Sequence, residues 1–546
     1  MPTLNWIGKE KVVNHHRDVP FRVLEHQYGF SADKGETKEP TGSGNMIIHG
    51  DNLEALKALL PEYEGKVKCI YIDPPYNTGE EKWVYNDNVN HPKIKKWLGE
   101  VVGKNGEDLT RHDKWLCMMY PRLKLLQRLM HSDAVIFISI DDNEHTNLKI
   151  LCDEIFGLNR FVTSFIWKRR ASSQLSKNNV SVDHEYVLCY SRTDNFIFRG
   201  VDKDYASYSN PDNDPNGPWT LGDLTVGMTK DQRPNQFYDL IDPKTGNVFK
   251  PNPSRVWSYI PESMNMRIKE GKVFFPHDTT KRPMTKRYLK DLSSKINPIS
   301  TWITGINDKS SEQNVTSLKS GMNTEGTKAI QSIFGSKEFD YSKPISLIQS
   351  LIQQIAEKND IILDSFAGSG TTAHAVLNLN KQDGGNRKFI LVEMEDYANS
   401  ITAERVKRVA KGYGEGKKAV EGTGGNFDYY ELGKPLFIGD NKEYLNEEVG
   451  IDKIRQYIWY SETRTAFDEP TDKSESEHYL GLRDQTAYYF YYQPEEITTL
   501  DHDFLATIKT KAEQYVIYAD NCLLSKEFMV KHNIIFKKIP RDITRF

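Results

Sequence analysis

The segment "NDIILDSFAGSGTTAHAVLNLN", residues 359–380, contains the clearest indication of the fold class. Its apolar run at 361–363 predicts a buried strand, and Gly368 and Gly370 predict a tight turn after that strand. The turn leads into a helix whose first N–H groups have no partner within the helix and can bind a ligand. A strand, a glycine turn and a helix in this order are typical of a nucleotide-binding α/β sheet.

The next strand, "KFILVE", ends in Glu393, which lies 23 residues beyond Gly370. That spacing suits a carboxylate that accepts hydrogen bonds from ribose hydroxyls. Ala373 stands at the last position of the GxGxxG pattern, where Gly or Ala is allowed, so this stretch alone leaves a nicotinamide-dependent dehydrogenase open. No Gly-Lys-Ser/Thr follows the turn, which argues against a P-loop.

A second apolar strand lies in "KCIYIDPPYNTGE", residues 68–80. The strand ends at Asp73-Pro74-Pro75-Tyr76, because proline cannot donate to the sheet ladder. Asp73 is therefore expected at the carboxyl end of a strand, where open α/β sheets bind their ligands. A simple Pro-Pro turn is the alternative for so short a segment.

Composition sets outer limits on the function. The 546 residues predict roughly three domains, and no segment approaches the ~20 apolar residues of a membrane span. The amino terminus has no apolar signal-peptide core, so a cytoplasmic protein without membrane contact is expected. The five cysteines form no CxxC pair, and we expect neither a metal site nor a disulfide framework.

Charge is unevenly distributed along a chain whose net charge is −4. Residues 440–503 carry 16 acidic and 6 basic side chains, so this region is a poor candidate for contacting phosphates. Two basic stretches, "WKRRASSQLSK" and "KRPMTKRYLKDLSSK", are candidates for binding DNA, although a solvated surface is the alternative. The candidate residues are Lys168, Arg169, Arg170, Lys281, Arg282, Lys286 and Arg287.

Together, the tetrapeptide and the glycine turn resemble the amino-methylating DNA methyltransferases that use S-adenosylmethionine. The tetrapeptide precedes the glycine turn, as in the permuted beta order of that family. "IIHGDNLEALKALL" and "FDYSKPISLIQSLI" resemble its adenine-contacting segment and the helix that leads into its cofactor turn. "LNWIGKEKVVNHH" and the tail segment "YYFYYQPEE" look most like modification subunits of type III restriction–modification systems.

The resemblance implies S-adenosylmethionine as cofactor and double-stranded DNA as substrate. It also implies a homodimer and a separate helicase–nuclease restriction subunit as partners. It makes Asp73, Pro74, Pro75 and Tyr76 the catalytic residues. The implied cofactor-binding residues are Asp51, Lys343, Asp364, Phe366, Gly368, Gly370, Thr371, Thr372 and Glu393. Helix capping is the alternative role for Asp51, and a helix-start role is the alternative for Thr371 and Thr372.

The chemistry of adenine N6 methylation accounts for the tetrapeptide. The amino nitrogen is a poor nucleophile because its lone pair is conjugated with the ring. If Asp73 and the Pro74 carbonyl accept its two N–H groups, the lone pair turns toward the methyl donor and the developing positive charge is stabilised. The base must first leave the duplex at a cost of a few kcal/mol, which stacking on Tyr76 offsets.

The strand–helix rhythm breaks down between Arg192 and Lys343, in a segment rich in Pro, Asn, Asp and Gly. We interpret this segment as a target recognition domain. The prediction is a Rossmann-like α/β methyltransferase sheet with that insertion and a carboxyl-terminal α+β domain. Its parts are an arm at 1–44, the methyltransferase domain at 45–192 and 341–433, target recognition at 193–340, and an interaction domain at 434–546.

Two alternatives to a type III adenine methyltransferase remain open. One is a stand-alone enzyme acting on adenine N6 or on cytosine N4, although related N4 enzymes more often carry Ser at the position of Asp73. The other is an NAD-binding oxidoreductase or a regulatory binding module. This second reading leaves the tetrapeptide and the basic insertion unexplained.

Overall fold

The computed structural model describes residues 3–78, 96, 111–172, 179–306, 316–439, 443–470 and 476–545. The chain divides into two compact units. The first comprises residues 1–199 and 300–546, and the second comprises residues 200–299.

The first unit is built on a large mixed sheet, which has twelve strands among the described residues. In spatial order the strands are Leu318–Ser320, Trp302–Gly305, Phe161–Lys168, His184–Ser191, Met130–Ile140, Val67–Ile72, Ile361–Asp364, Lys388–Glu393, Met46–His49, Asn426–Pro435, Arg22–Ser31 and Gly35–Thr37.

The six strands from Met130–Ile140 to Asn426–Pro435 in that order are all parallel. The strand His184–Ser191 runs antiparallel beside this block. Consequently its amino-terminal end lies at the same edge as the carboxyl ends of the parallel strands. The predicted α/β class is confirmed, and this edge is where such sheets bind ligands.

Helices precede, connect and follow the strands of the large sheet. They are Asn52–Tyr63, Arg111–Leu129, His145–Phe156, Asn323–Phe334, Ile345–Ile352, Thr371–Asp383, Glu404–Lys411 and Ile451–Thr463, with shorter helices at Lys9–Val12, His15–Asp18, His502–Thr507 and Lys526–Lys531. No helix in the described part of the chain is long and apolar enough to span a membrane.

One apolar cluster covers a face of the sheet. Alternate strand residues such as Ile70 and Ile72 contribute to it, as the two-residue period of a strand requires. The helices Asn52–Tyr63, Arg111–Leu129 and His145–Phe156 supply the opposing side chains. Burial of this apolar surface is the main favourable term that holds the sheet edge in place.

The tail was predicted to form a separate domain, but it belongs to the first unit. Tyr457, Tyr460 and Tyr518 are buried in the same apolar cluster as the sheet. The Tyr460 hydroxyl also hydrogen-bonds to Glu64, and Arg128 donates to that hydroxyl over 3.0 Å. The tail's apolar side chains are therefore covered by the large sheet as well as by the tail itself.

The tail adds a smaller sheet of its own. Its strands, in spatial order, are Tyr479–Arg483, Thr486–Phe490, Gln514–Ala519 and Ile534–Lys538. Two-stranded pairs lie at Gly412–Tyr413 with Val420–Glu421, Phe437–Ile438 with Tyr444–Leu445, and Thr499–Leu500 with Asn521–Cys522.

The second unit has its own core around Leu224, Leu240, Phe249, Trp257 and Met264. Its three-stranded sheet has the order Val273–Phe274, Met284–Tyr288 and Trp219–Asp223, and its helix is Pro261–Lys269. Two-stranded pairs lie at Leu240–Ile241 with Val248–Phe249, and at Val201–Asp202 with Ile296–Asn297.

This unit is shorter than the predicted segment 193–340. Strands Trp302–Gly305 and Leu318–Ser320 belong to the large sheet, because the former pairs in parallel with Phe161–Lys168. Likewise the predicted arm at 1–44 contributes the sheet strand Arg22–Ser31. The recognition role of the insertion stays a prediction.

Candidate active site

A cleft of about 480 Å³ opens at the carboxyl edge of the central strands. Asp73, Asp141, Asp364 and Glu393 line it, and each lies at or directly after the end of a parallel strand. The sheet thus brings together the two sequence stretches from which the function was predicted. Six carboxyl and three basic side chains of the described residues line the cleft, which favours a ligand with positive charge.

Contacts on both sides fix the tetrapeptide. Trp115 Nε1–H donates to the Pro75 carbonyl over 2.6 Å. The next residue, Asn77, has a φ of 58°, in the left-handed region where Asn is tolerated better than most residues. Its amide donates to the Arg111 carbonyl over 3.2 Å and also to the buried carboxylate of Glu144. The backbone turn after the strand is therefore held by its neighbours.

The two oxygens of Asp73 have different surroundings. The Lys343 ammonium lies 2.9 Å from Oδ2. Oδ1 is buried and has no hydrogen-bond partner among the described residues. Because an unpaired buried acceptor is costly, this oxygen is poised to accept a hydrogen bond from a ligand.

Glu185 joins the same network from the antiparallel strand. The Tyr76 hydroxyl donates to Glu185 Oε2 over 3.0 Å, and Arg169 Nη1 donates to Oε1 over 3.0 Å. Lys343 Nζ lies 3.5 Å from Oε2 and 4.7 Å from the centroid of the Tyr76 ring. Two carboxylates and two cations therefore alternate along one wall of the cleft.

Burial and charge act in opposite directions on these groups. Burial raises the pKa of Asp73, the positive charge of Lys343 lowers it, and the negative charge of Glu185 raises it further, with a net rise. Burial lowers the pKa of Lys343, but Asp73 and Glu185 outweigh that effect and raise it. The lysine is therefore charged at neutral pH.

The glycine turn lines the same cleft. Gly368 has a φ of 51°, and a Cβ there would lie 3.3 Å from the Phe339 ring. Gly370 has a φ of 80°, and a Cβ there would lie 3.1 Å from the Thr402 carbonyl oxygen. Both positions therefore favour glycine on conformational and on steric grounds.

Two carboxyl groups hold the turn. Asp364 Oδ1 accepts from the Phe366 N–H over 3.0 Å, and its Oδ2 accepts from the Thr372 hydroxyl over 2.5 Å. Glu393 Oε2 accepts from the Gly368 N–H over 2.7 Å. Burial raises the pKa of both carboxyls to about 7, despite these hydrogen bonds.

Arg405 supports the turn from behind. It is fully buried, and its Nη1 donates to the hydroxyls of Ser342, Ser369 and Thr371 over 3.2, 2.7 and 2.8 Å. Burial lowers the pKa of Arg405 to about 9. These bonds tie the segment before Lys343 to the glycine turn.

Most of the predicted site residues converge on the cleft. Those that line it are Asp73, Pro74, Pro75, Tyr76, Lys343, Asp364, Phe366, Gly368, Thr371, Glu393, Arg169 and Arg170. Gly370 belongs to the turn and Thr372 donates to Asp364, but neither residue lines the cleft. Asp51 does not line the cleft; its carboxylate caps the helix Asn52–Tyr63 by accepting from Leu53 N–H and Glu54 N–H, and it pairs with Arg122 over 3.3 Å.

The remaining basic candidates have unequal surroundings. Lys168 ends a strand and is half-buried. In the second unit, Lys281, Arg282 and Arg287 are exposed. Lys286 is buried, and its ammonium lies 2.5 Å from Asp212 and 2.6 Å from Asp214. Lys286 was predicted to bind DNA, but its buried ion pairs with Asp212 and Asp214 favour a structural role within the second unit.

Sequence reasoning missed Glu185, Ser342, Ser369 and Arg405. The segment "DHEYVLCYSR" places Glu185 just inside an apolar strand, and a carboxylate there is a usable signal. The segment does not show that its strand runs antiparallel, and this direction is what brings Glu185 to the cleft. Glu185 could therefore not be assigned to the site from the sequence. Arg405 occurs in an ordinary amphipathic helix pattern, which contains no such signal.

Comparison with known proteins provides independent information. A family model described as DNA methylase matches residues 67–404. The type III restriction-modification enzyme StyLTI Mod subunit of Salmonella typhimurium is 36% identical over 400 residues, which cover 68% of this chain and 58% of that protein. The EcoPI Mod subunit of Escherichia phage P1 is 31% identical over 470 residues, covering 75% of this chain and 68% of that subunit.

The type II methyltransferase M.KpnI of Klebsiella pneumoniae is also similar. It is 33% identical over 393 residues, which cover 68% of this chain and 85% of that enzyme. This chain thus matches less than two thirds of the StyLTI Mod subunit and most of the type II enzyme.

Proposed function

We propose, from the premise that this chain belongs to the DNA methylase family, that it transfers a methyl group from S-adenosylmethionine to adenine N6 in a specific DNA sequence. The observation that carries the proposal is the buried Oδ1 of Asp73, which has no hydrogen-bond partner among the described residues and belongs to the same cleft as the glycine turn. Similarity to two Mod subunits supports the assignment to a type III system.

The donor set of the cleft suits the cofactor. The carboxylate of Glu393 would accept hydrogen bonds from the ribose hydroxyls, and the glycine turn allows the backbone to approach the ligand closely. The excess of carboxyl groups suits a sulfonium cation. When bound, S-adenosylmethionine supplies an electrophilic methyl group.

The protein's own residues prepare the nucleophile. Asp73 Oδ1 would accept one N–H of the amino group, while Lys343 neutralises the other oxygen and fixes the carboxylate. A preorganised acceptor stabilises positive charge that develops on the nitrogen without rearranging during the reaction. Because Lys343 is protonated, it cannot take the amino proton that is lost after transfer, whereas Asp73 Oδ1 is placed to do so.

Tyr76 would receive the base after it leaves the duplex. Its hydroxyl is fixed by Glu185, and its ring lies at the cleft. Stacking of a base on such a ring contributes ~1–3 kcal/mol, which offsets part of the cost of flipping.

The second unit, residues 200–299, is our candidate for target recognition, because exposed Lys281, Arg282 and Arg287 lie on it. We further propose that the chain acts in the cytoplasm as a homodimer and binds a helicase–nuclease restriction subunit. Light scattering of the purified chain and co-purification with such a subunit test these two points.

Single-molecule sequencing of DNA from cells that express this chain tests the function. We expect N6-methyladenine at one short sequence, and exchange of residues 200–299 for those of a relative should change the sequence but not the modified atom. N4-methylcytosine at the site, or no modification, would contradict the adenine assignment.

A stand-alone methyltransferase is the second candidate, and the 85% coverage of M.KpnI favours it. The two candidates differ in the need for a partner. If the purified chain methylates all target sites without a partner subunit, and no restriction subunit binds to it, the stand-alone assignment is correct.

A further inference from the structure

Glu185 is a buried carboxylate that neither the tetrapeptide nor the glycine turn supplies. Its residue is 4% exposed, yet it lines the cleft. A buried carboxylate is retained only when it is paired and hydrogen-bonded. Glu185 meets both conditions through Tyr76, Arg169 and Lys343.

These three contacts link Glu185 to Tyr76, to Lys343 and to Arg169. The bond from Tyr76 fixes the hydroxyl end of its ring, and Lys343 lies over the same ring. The second contact of Lys343, with Asp73 Oδ2, extends the chain of charges to the tetrapeptide. Arg169 pairs with the other oxygen of Glu185 and ends this row of charges. Glu185 is thus the point at which the ring and the ammonium are held together.

We propose, on the basis of the function proposed above, that Glu185 is a positioning residue for methyl transfer. It holds the Tyr76 ring by its hydroxyl and holds the Lys343 ammonium against Asp73, so that Asp73 Oδ1 and the stacking ring keep one relative geometry. Glu185 acts through these two residues, whereas Asp73 is the residue that contacts the reacting nitrogen.

The charge of Glu185 also affects the pKa of Asp73. This pKa is a readout that replacement of a purely structural residue would not change. Lys343, Glu185, Tyr76, Tyr71 and Asp364 are the titratable groups that face Asp73. Of these, Glu185 raises the pKa of Asp73 and Lys343 lowers it. Removing only the charge of Glu185 should therefore lower the pKa of Asp73.

The experiment uses the full chain with Glu185→Gln, S-adenosylmethionine and DNA that contains the site. We expect kcat to fall roughly 10- to 100-fold, the effect of losing a hydrogen bond to a charged group, with KM for DNA and cofactor nearly unchanged. The acid limb of the kcat–pH profile should move to lower pH, because Asp73 then ionises more easily.

Asp153→Asn is the matched control. Asp153 is also a buried carboxylate that accepts from a tyrosine hydroxyl, Tyr190 at 2.8 Å, and from a lysine, Lys149 at 2.7 Å. It does not line the cleft. We expect this variant to keep the wild-type kcat and pH profile even if its thermal stability falls.

A double-mutant cycle with Tyr76→Phe tests the route of action. If Glu185 acts partly through the Tyr76 hydroxyl, the combined variant loses clearly less than the product of the two single losses. A strictly multiplicative loss, an unchanged kcat in Glu185→Gln, or an equal kcat loss in the Asp153 control would overturn the proposal. Failure of the proposed function is distinguishable, because then the wild-type chain itself would incorporate no labelled methyl group.

Discussion

Lys343 Nζ lies 2.9 Å from Oδ2 of Asp73 and leaves Oδ1 of that carboxylate without a partner among the described residues. One oxygen is thereby neutralised by a fixed cation, and the other remains for the substrate. The segment that carries Lys343 was predicted from its resemblance to contact the cofactor. Its position beside Asp73 leads us to assign it to the catalytic side of the cleft.

Asp73→Ala should reduce methyl transfer by roughly 10²–10³-fold or more, because the acceptor stabilises charge that develops mainly in the transition state. Binding of S-adenosylmethionine and of DNA should change little. Initial rates of methyl incorporation, together with calorimetric titration of each ligand, check this. Weak DNA binding with unchanged transfer chemistry would refute the role.

Lys343→Met should move the acid limb of the kcat–pH profile to higher pH. The lysine charge lowers the pKa of Asp73, so its removal makes that carboxyl harder to ionise. The carboxylate form is the acceptor, and activity is lost as pH falls through its pKa. This direction is opposite to that expected for Glu185→Gln, so one set of profiles measures both. An acid limb that stays in place would show that Lys343 has another role.

Affinity for S-adenosylmethionine should fall as pH drops below about 7, because Glu393 has its pKa raised to about 7 by burial and accepts ligand hydroxyls best as a carboxylate. Glu393→Gln should weaken binding at pH 8 by ~1.5–3 kcal/mol and flatten this dependence. Asp364→Asn is the control variant, because the pKa of Asp364 is also about 7 and this residue could cause the same pH dependence. If the wild-type chain binds S-adenosylmethionine equally well at pH 6 and pH 8, the role assigned to Glu393 is wrong. Tight binding of NAD instead of S-adenosylmethionine would also contradict that role.

Replacing Lys281, Arg282 and Arg287 together by Ala should lower DNA affinity and reduce the salt dependence by about 0.9 logarithmic units per lost phosphate contact. Fluorescence anisotropy at several salt concentrations gives this slope. Lys286→Ala serves as the contrast, because it leaves Asp212 and Asp214 without their cation and should destabilise the second unit. An unchanged slope in the triple variant would place DNA binding elsewhere.

Tyr457→Ala should lower the free energy of unfolding by about 3–5 kcal/mol, the usual cost of removing a large buried aromatic side chain. Tyr457 is 1% exposed within the cluster shared by the tail and the sheet. Tyr444, in the same tail, is 61% exposed, and its replacement by Ala should cost little. Denaturant unfolding compares the two. Equal, small losses would mean that the tail folds apart from the sheet.

The local parts of the site could be predicted from residue order alone. Proline cannot donate to a sheet ladder, and glycine adopts a φ of 51° or 80° more readily than other residues, so the tetrapeptide and the glycine turn could be recognised from residue type and order. Parallel strands in an α/β sheet then place Asp73, Asp364 and Glu393 at one edge.

Which charged side chains meet depends on how distant segments pack in the folded protein. Tyr76 and Glu185 are 109 residues apart in the chain, and their contact depends on the antiparallel direction of one strand. Lys286 lies in the same basic run as Lys281, yet the fold buries it between two carboxylates. Residue type gives the charge of a side chain, but its partner and its exposure depend on packing between distant segments, because electrostatic energies vary with burial and distance.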